Sequence, residues 1–113
     1  MLRRFALARQ GFCHDTSLPH HRLLAYQKSL ELLAAVRSAQ IRDAKFRDEA
    51  LRAAKGTCLN IAEGAGRVSR ADKARAYAIA RDECVEAVAA TEIAGQSGDA
   101  VEDAVADVRR NWQ

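Results

Sequence analysis

Leu51-Arg52-Ala53-Ala54-Lys55-Gly56-Thr57-Cys58-Leu59-Asn60-Ile61-Ala62-Glu63-Gly64-Ala65-Gly66-Arg67, followed by Val68-Ser69-Arg70-Ala71-Asp72, decides the fold of this 113-residue chain. Leu51, Ala54, Cys58 and Ile61 recur at intervals of three and four, the period of one helix face. Phe46, Ala50 and Leu59 flank that stripe. The stretch predicts a helix over about 44–64. Gly64 and Gly66 are expected to end it by adopting left-handed conformations. Ser69 then reads as the N-cap of the next helix, with Asp72 at its third position able to reach back.

Outward from this turn the same period continues on both sides. Leu23, Tyr26, Leu30 and Leu33, broadened by Leu32 and Val36, predict a helix over 21–39, with Gln40-Ile41-Arg42-Asp43 as a short break. Downstream, a long helix is expected from 70 to about 94. Tyr77, Ala78, Val85 and Val88 form one of its stripes. Ala76, Ala80, Cys84, Ala87 and Thr91 form a second stripe of very small side chains. Two apolar faces on one helix suggest contacts on both sides, and so bundles that pack on one another. Gly95-Gln96-Ser97-Gly98 is the next turn. Asp99 starts a fourth helix with Val101, Ala104, Val105, Val108 and Trp112 on one side. Four helices joined by short turns make an all-α, antiparallel up-down-up-down four-helix bundle over residues 21–113, with residues 1–20 as an N-terminal tail. Composition agrees. The chain has 24 Ala against 6 Gly and 1 Pro, and Ala loses no side-chain entropy in a helix.

The net charge of +3 invites a nucleic-acid reading until it is resolved along the chain. Residues 1–22 carry +3, residues 37–75 carry +5 and residues 76–108 carry −7. A basic middle followed by an acidic distal part can complement itself, within a subunit or between subunits. Alternatively, Arg37, Arg42, Lys45, Arg47, Arg52, Lys55, Arg67, Arg70, Lys73 and Arg75 could face phosphate, which would make binding strongly salt-dependent. Phe46 is the only aromatic residue among them, so base stacking on single strands has little support.

Other function classes find little footing. No apolar run is long enough for a membrane span, and Arg9 and Gln10 interrupt the start too soon for a secretory segment. Cys13, Cys58 and Cys84 are odd in number and widely spaced, so no disulfide framework or metal site is readable and a reducing cytoplasm is expected, with Cys58 and Cys84, among small apolar residues, as core packing. His14, His20 and His21 read as residues of a solvated tail. There is no Gly-rich phosphate loop, no HExxH and no nucleophile elbow, so neither an enzyme nor a cofactor is expected.

Within the opening stretch, Asn60 and Glu63 are polar residues on either side of the core position Ile61. A carboxylate in the last turn opposes the helix dipole. Glu63 is therefore expected to be held by N–H groups near Ser69 to Asp72 or by Arg67, and Asn60 to bridge helices. This segment also resembles the signature of the four-helix bundle family named after 23S ribosomal RNA intervening sequences, L-R-R-A-A-x-S-I-x-x-N-I-A-E-G-x-G-R. Asn60, Ile61, Ala62, Glu63, Gly64, Gly66 and Arg67 match it directly. A second family run, I-A-x-G-S-x-x-E, aligns with Ile79–Glu86. Ile79, Ala80 and Glu86 match, whereas Asp82-Glu83 replace the small Gly-Ser pair.

The resemblance implies a bundle that assembles as a homopentamer and has no enzymatic activity established for the family as a class. One branch, the accessory variability determinant proteins of diversity-generating retroelements, implies binding to nucleic acid and to a reverse transcriptase. The expected function is thus a non-catalytic, self-assembling interaction module. The alternative is a nucleic-acid-binding accessory protein using Arg42, Lys45, Arg52, Lys55, Arg67, Arg70 and Lys73.

Overall fold

The computed structural model describes residues 18–112, and the expected tail therefore lies almost wholly outside the described residues. A single 3-10 turn, Pro19–Arg22, precedes four helices: α1 (Leu24–Ser38), α2 (Ala44–Gly66), α3 (Arg70–Gln96) and α4 (Glu102–Trp112). Helix α1 packs on α2 and α4, and α3 packs on the same two, so α1 and α3 occupy diagonal corners. The direction of the helices follows from side-chain neighbours. Gly64 faces Tyr77, Gly56 faces Glu83 and Arg52 reaches Glu86, so residue numbers fall on α2 as they rise on α3. Gly95 against Val105 and Glu92 against Arg109 show the same for α3 and α4. The result is the antiparallel four-helix bundle. Among the described residues, no helix is long and apolar enough to cross a membrane.

Alanine dominates the core. Ala50, Ala53, Ala54, Ala87 and Ala94 have essentially no exposed surface, and Leu32, Val36, Ile41 and Val108 fill the remaining volume. Each methyl is worth only about 0.8 kcal/mol by transfer, so close approach of the backbones must supply dispersion contact instead. The small stripe of α3 does this: Ala76, Ala80, Ala87 and Thr91 are buried, and Cys84 is half-buried. It is therefore used inside the chain and is not a second face for another bundle. Of the other expected stripe only Val88 is buried, while Ala78 and Val85 face solvent and Tyr77, 38% exposed, lays its ring against α2.

Helix ends depart from the expectation at two places. Helix α2 runs through Gly64 and ends at Gly66, and Arg67, in extended conformation, caps it. Neither glycine is left-handed; the positive φ values belong to Gln40 and to Gly98. Gly64 instead serves packing, because a Cβ there would lie 2.7 Å from the Tyr77 ring and 3.2 Å from the Ala76 methyl. Helix α4 begins at Glu102, not at Asp99. Gly98 turns the chain, and the Asp99 backbone is engaged first, its N–H with Ala94 O at 2.8 Å and its carbonyl with Arg42 N–H at 2.9 Å. The caps follow ordinary chemistry. Asp43 accepts from Phe46 N–H, and Ser69 accepts from Asp72 N–H at 3.0 Å.

The histidines adjoining α1 also differ from a solvated tail. His20 and His21 are half-buried, and the His20 ring meets those of His21 and Tyr26 edge-on at 4.4 and 4.7 Å. Burial, with the neighbouring His21, holds His20 below its ordinary pKa.

This core assignment is testable. Ala87→Leu should overpack the core, where Ala87 has no exposed surface, and cost about 1–3 kcal/mol in urea unfolding. Ala78→Leu, on the solvent side of the same helix, should stay within about 0.5 kcal/mol of the parent.

Candidate functional site

The α2–α3 turn gathers the residues singled out by the sequence. Asn60 Nδ2 donates to Gly56 O within α2 at 2.8 Å, so it satisfies its own helix and does not bridge to another. Ile61 is half-buried and faces the space between α1 and α3. Gly66 is exposed, and a Cβ there would meet nothing within 4 Å. Arg67 is exposed, and its backbone N–H returns to Gly64 O at 3.2 Å.

Glu63 is exposed and has no hydrogen bond or ion pair among the described residues, contrary to the expectation that α3 amides or Arg67 would hold it. The group that answers the dipole of α2 is Lys73. Its ammonium donates to Gly64 O at 3.3 Å and to Ala65 O at 3.0 Å, which places a cation on the orphan carbonyls of the helix end. Asn60, Glu63, Arg67, Asp72, Arg75 and Ile79 surround a small polar recess of about 150 Å³ beside this cap. Its side chains supply no nucleophile paired with a base.

Glu86 belongs to a second cluster, halfway along the α2–α3 seam. Arg52 Nη2 lies 2.7 Å from Glu86 Oε2 and 3.0 Å from Glu49 Oε2, with Glu83 further off at 4.0 Å. Arg52 holds the two carboxyl groups side by side, and their mutual interaction raises the pKa of Glu86 and lowers that of Glu49, the latter assisted by Arg52. The Asp82-Glu83 substitution of a small pair is accommodated across the seam. The Glu83 carboxylate lies over Gly56, in space that any Cβ at 56 would fill. Asp82 faces solvent.

The seven cations expected to meet phosphate therefore divide. Arg52 is committed to carboxylates, Lys73 to the α2 carbonyls, and Arg42 to Gly98 O across the connecting turns. Those three are not free for a partner, because each already answers a charge or dipole of its own fold. Lys45, Lys55, Arg67 and Arg70 are exposed and make no ion pair among the described residues. Cys58 donates to Ser29 O at 3.2 Å, and burial raises the pKa of both the Cys58 and Cys84 thiols.

A different surface was not legible as such. Val85, Ile93 and Ile79 of α3 are 48, 47 and 43% exposed, and Leu59 of α2 is 59% exposed. The sequence showed surplus apolar residues on α3 but could not say which stripe the chain itself would consume.

The model of the family described as 23S rRNA-intervening sequence protein matches residues 21–112. No curated protein matches the chain.

Replacement of Lys73 by Met should cost about 1 kcal/mol of stability through loss of the charge-assisted cap. Glu63→Ala should fall within about 0.5 kcal/mol of the parent, as for a solvated side chain. Chemical denaturation of the two variants side by side reads the difference.

Proposed function

The chain belongs to the 23S rRNA-intervening sequence protein family, and from that premise we propose that it is a non-catalytic, self-assembling four-helix bundle that serves as an interaction module. The observation that carries this reading is the exposed apolar flank of α3, with Val85 and Ile93 both about half exposed. Large apolar side chains left exposed beside a buried core seam are candidates for burial in an assembly. A homopentamer is the proposed assembly. The proposed setting is the cytoplasm, where the free thiols Cys58 and Cys84 stay reduced.

Multi-angle light scattering tests the assembly. The expected mass is near five times the 12.4 kDa of one chain. Val85→Glu with Ile93→Glu should lower it to that of one chain while the circular dichroism spectrum is kept. A parent protein that is monomeric at micromolar concentration would overturn the proposal.

A second reading, nucleic-acid binding, is favoured by Lys45, Lys55, Arg67 and Arg70, which are exposed and make no ion pair among the described residues. Lys45, Lys55, Arg67 and Arg70 could neutralise only a few phosphates. Each phosphate contact to duplex DNA contributes a slope of about −0.9 in log K against log salt, so these four contacts alone would give a slope of roughly −4. Arg67→Glu with Arg70→Glu should weaken binding at low salt and flatten that slope, with no loss of thermal stability. No binding of duplex DNA or RNA at low salt would eliminate this reading.

A further inference from the structure

The turn between α2 and α3, Arg67-Val68-Ser69-Arg70, presents side chains that its own fold leaves unused. Val68 is 97% exposed. Arg67 and Arg70 on either side of it are exposed, and neither makes an ion pair among the described residues. Only the Ser69 side chain is engaged, as the cap that accepts from Asp72 N–H. The tip is thus one apolar knob between two guanidinium groups.

The opposite chemistry lies on the outer side of α3. Arg52 of α2 meets Glu86 at 2.7 Å, which marks the stripe of α3 that looks outward beside α2. Ile79 and Ile93 stand seven residues before and after Glu86, about two helical turns away, so they share its stripe, and both are close to half exposed. Asp82, four residues before Glu86, is exposed on the same side and makes no ion pair among the described residues. Helix α4 packs on another side of α3, against Glu92 and Gly95. Negative charge is in excess at the middle of the stripe. Arg52 alone serves the carboxylates of Glu49, Glu83 and Glu86, and Asp82 adds a further acid. The neighbouring carboxyl of Glu49 pushes the pKa of Glu86 up, as expected where one cation serves too many acids. The sign changes only seven residues further out, at Lys45 before Arg52 and at Arg75 before Asp82.

The turn cannot answer these acids within its own chain. Asp82 lies twelve residues beyond Arg70 on one continuous helix, about 18 Å along its axis and beyond the reach of an arginine side chain. A second copy can bring the two surfaces together. We propose that the α2–α3 turn of one copy docks on the outer stripe of α3 in the next, with Val68 on its isoleucines and Arg67 and Arg70 on Asp82 and Glu86. This rests on the reading of the chain as a self-assembling module and names the two surfaces that meet. The match is one of sign as well as of apolar area, which fixes register and excludes turn against turn or stripe against stripe. Because the two surfaces differ, the contact is head-to-tail and repeats from copy to copy, closing a ring where the rotation allows.

Charge reversal with rescue tests this in the full chain, read by light scattering over a concentration series with circular dichroism as the check on folding. Arg67→Glu with Arg70→Glu should raise the concentration needed for half assembly at least about tenfold. Glutamate suits the first turn of a helix, so α3 is kept. Asp82→Arg alone should do the same. Combining all three substitutions restores opposite signs and should recover assembly toward the parent value. An assembled parent whose mass ignores both reversals, or a triple variant no better than the two it combines, overturns this inference and leaves the self-assembly proposal standing. A parent that is a 12.4 kDa monomer overturns both. If the Arg67 and Arg70 variant keeps its mass and loses only duplex binding, the turn faces phosphate and the docking is wrong.

Discussion

The close contact of α2 with α3 is the constraint on which the rest of the molecule depends. Both helices bury small side chains, Ala50, Ala53, Ala54 and Thr57 of α2 and Ala76, Ala80, Ala87 and Thr91 of α3, and Ala76 meets α2 at Gly64. Such side chains contribute little area each, so the two backbones must lie close for the seam to hold. Gly64 and Gly56 extend the same logic. One admits the Tyr77 ring and the other the Glu83 carboxylate, where a methyl group would collide. A seam of this kind uses small residues inside and leaves the larger ones, Val85, Ile79, Ile93 and Leu59, outside. The exposed apolar surface of α2 and α3 is thus a consequence of how the core was built.

The same economy governs charge. Arg52 ties α2 to three carboxylates, two of them on α3, Lys73 closes the carbonyl end of α2, and Arg42 joins the two connecting turns at one end of the bundle. A chain with a net charge of +5 in its middle therefore presents fewer free cations than its sequence suggests. The acids of residues 76–108 absorb part of that charge, as Arg52 with Glu83 and Glu86 shows. The exposed ion pairs contribute modestly to stability, but they decide which surface remains basic.

Periodicity found all four helices, because the 3.6-residue repeat is imposed by local geometry and the apolar stripe must face the core. Ser69 was legible as a cap for the same local reason: its side chain serves an amide three residues away. The errors lie where a distant group intervenes. Glycine at 64 suggested a left-handed stop, yet its neighbour across the seam, Tyr77, explains it. Asp99 suggested a helix start, yet its carbonyl is taken by Arg42 N–H, 57 positions earlier in the chain, and the helix waits until Glu102. Glu63 suggested a buried acceptor, but the position of the α3 N-terminus leaves it in water and brings Lys73 to the carbonyls.

By itself the sequence determined the helices, their short connections and the family to which the chain belongs, since these depend on period, caps and a contiguous motif. Tertiary structure alone decided which α3 stripe is core and which cations are free. Each of those is a question of distance between residues far apart in the chain. Side-chain type cannot answer it, because an alanine methyl, an arginine or a leucine has the same chemistry whether a neighbouring helix lies against it or stops a few residues before.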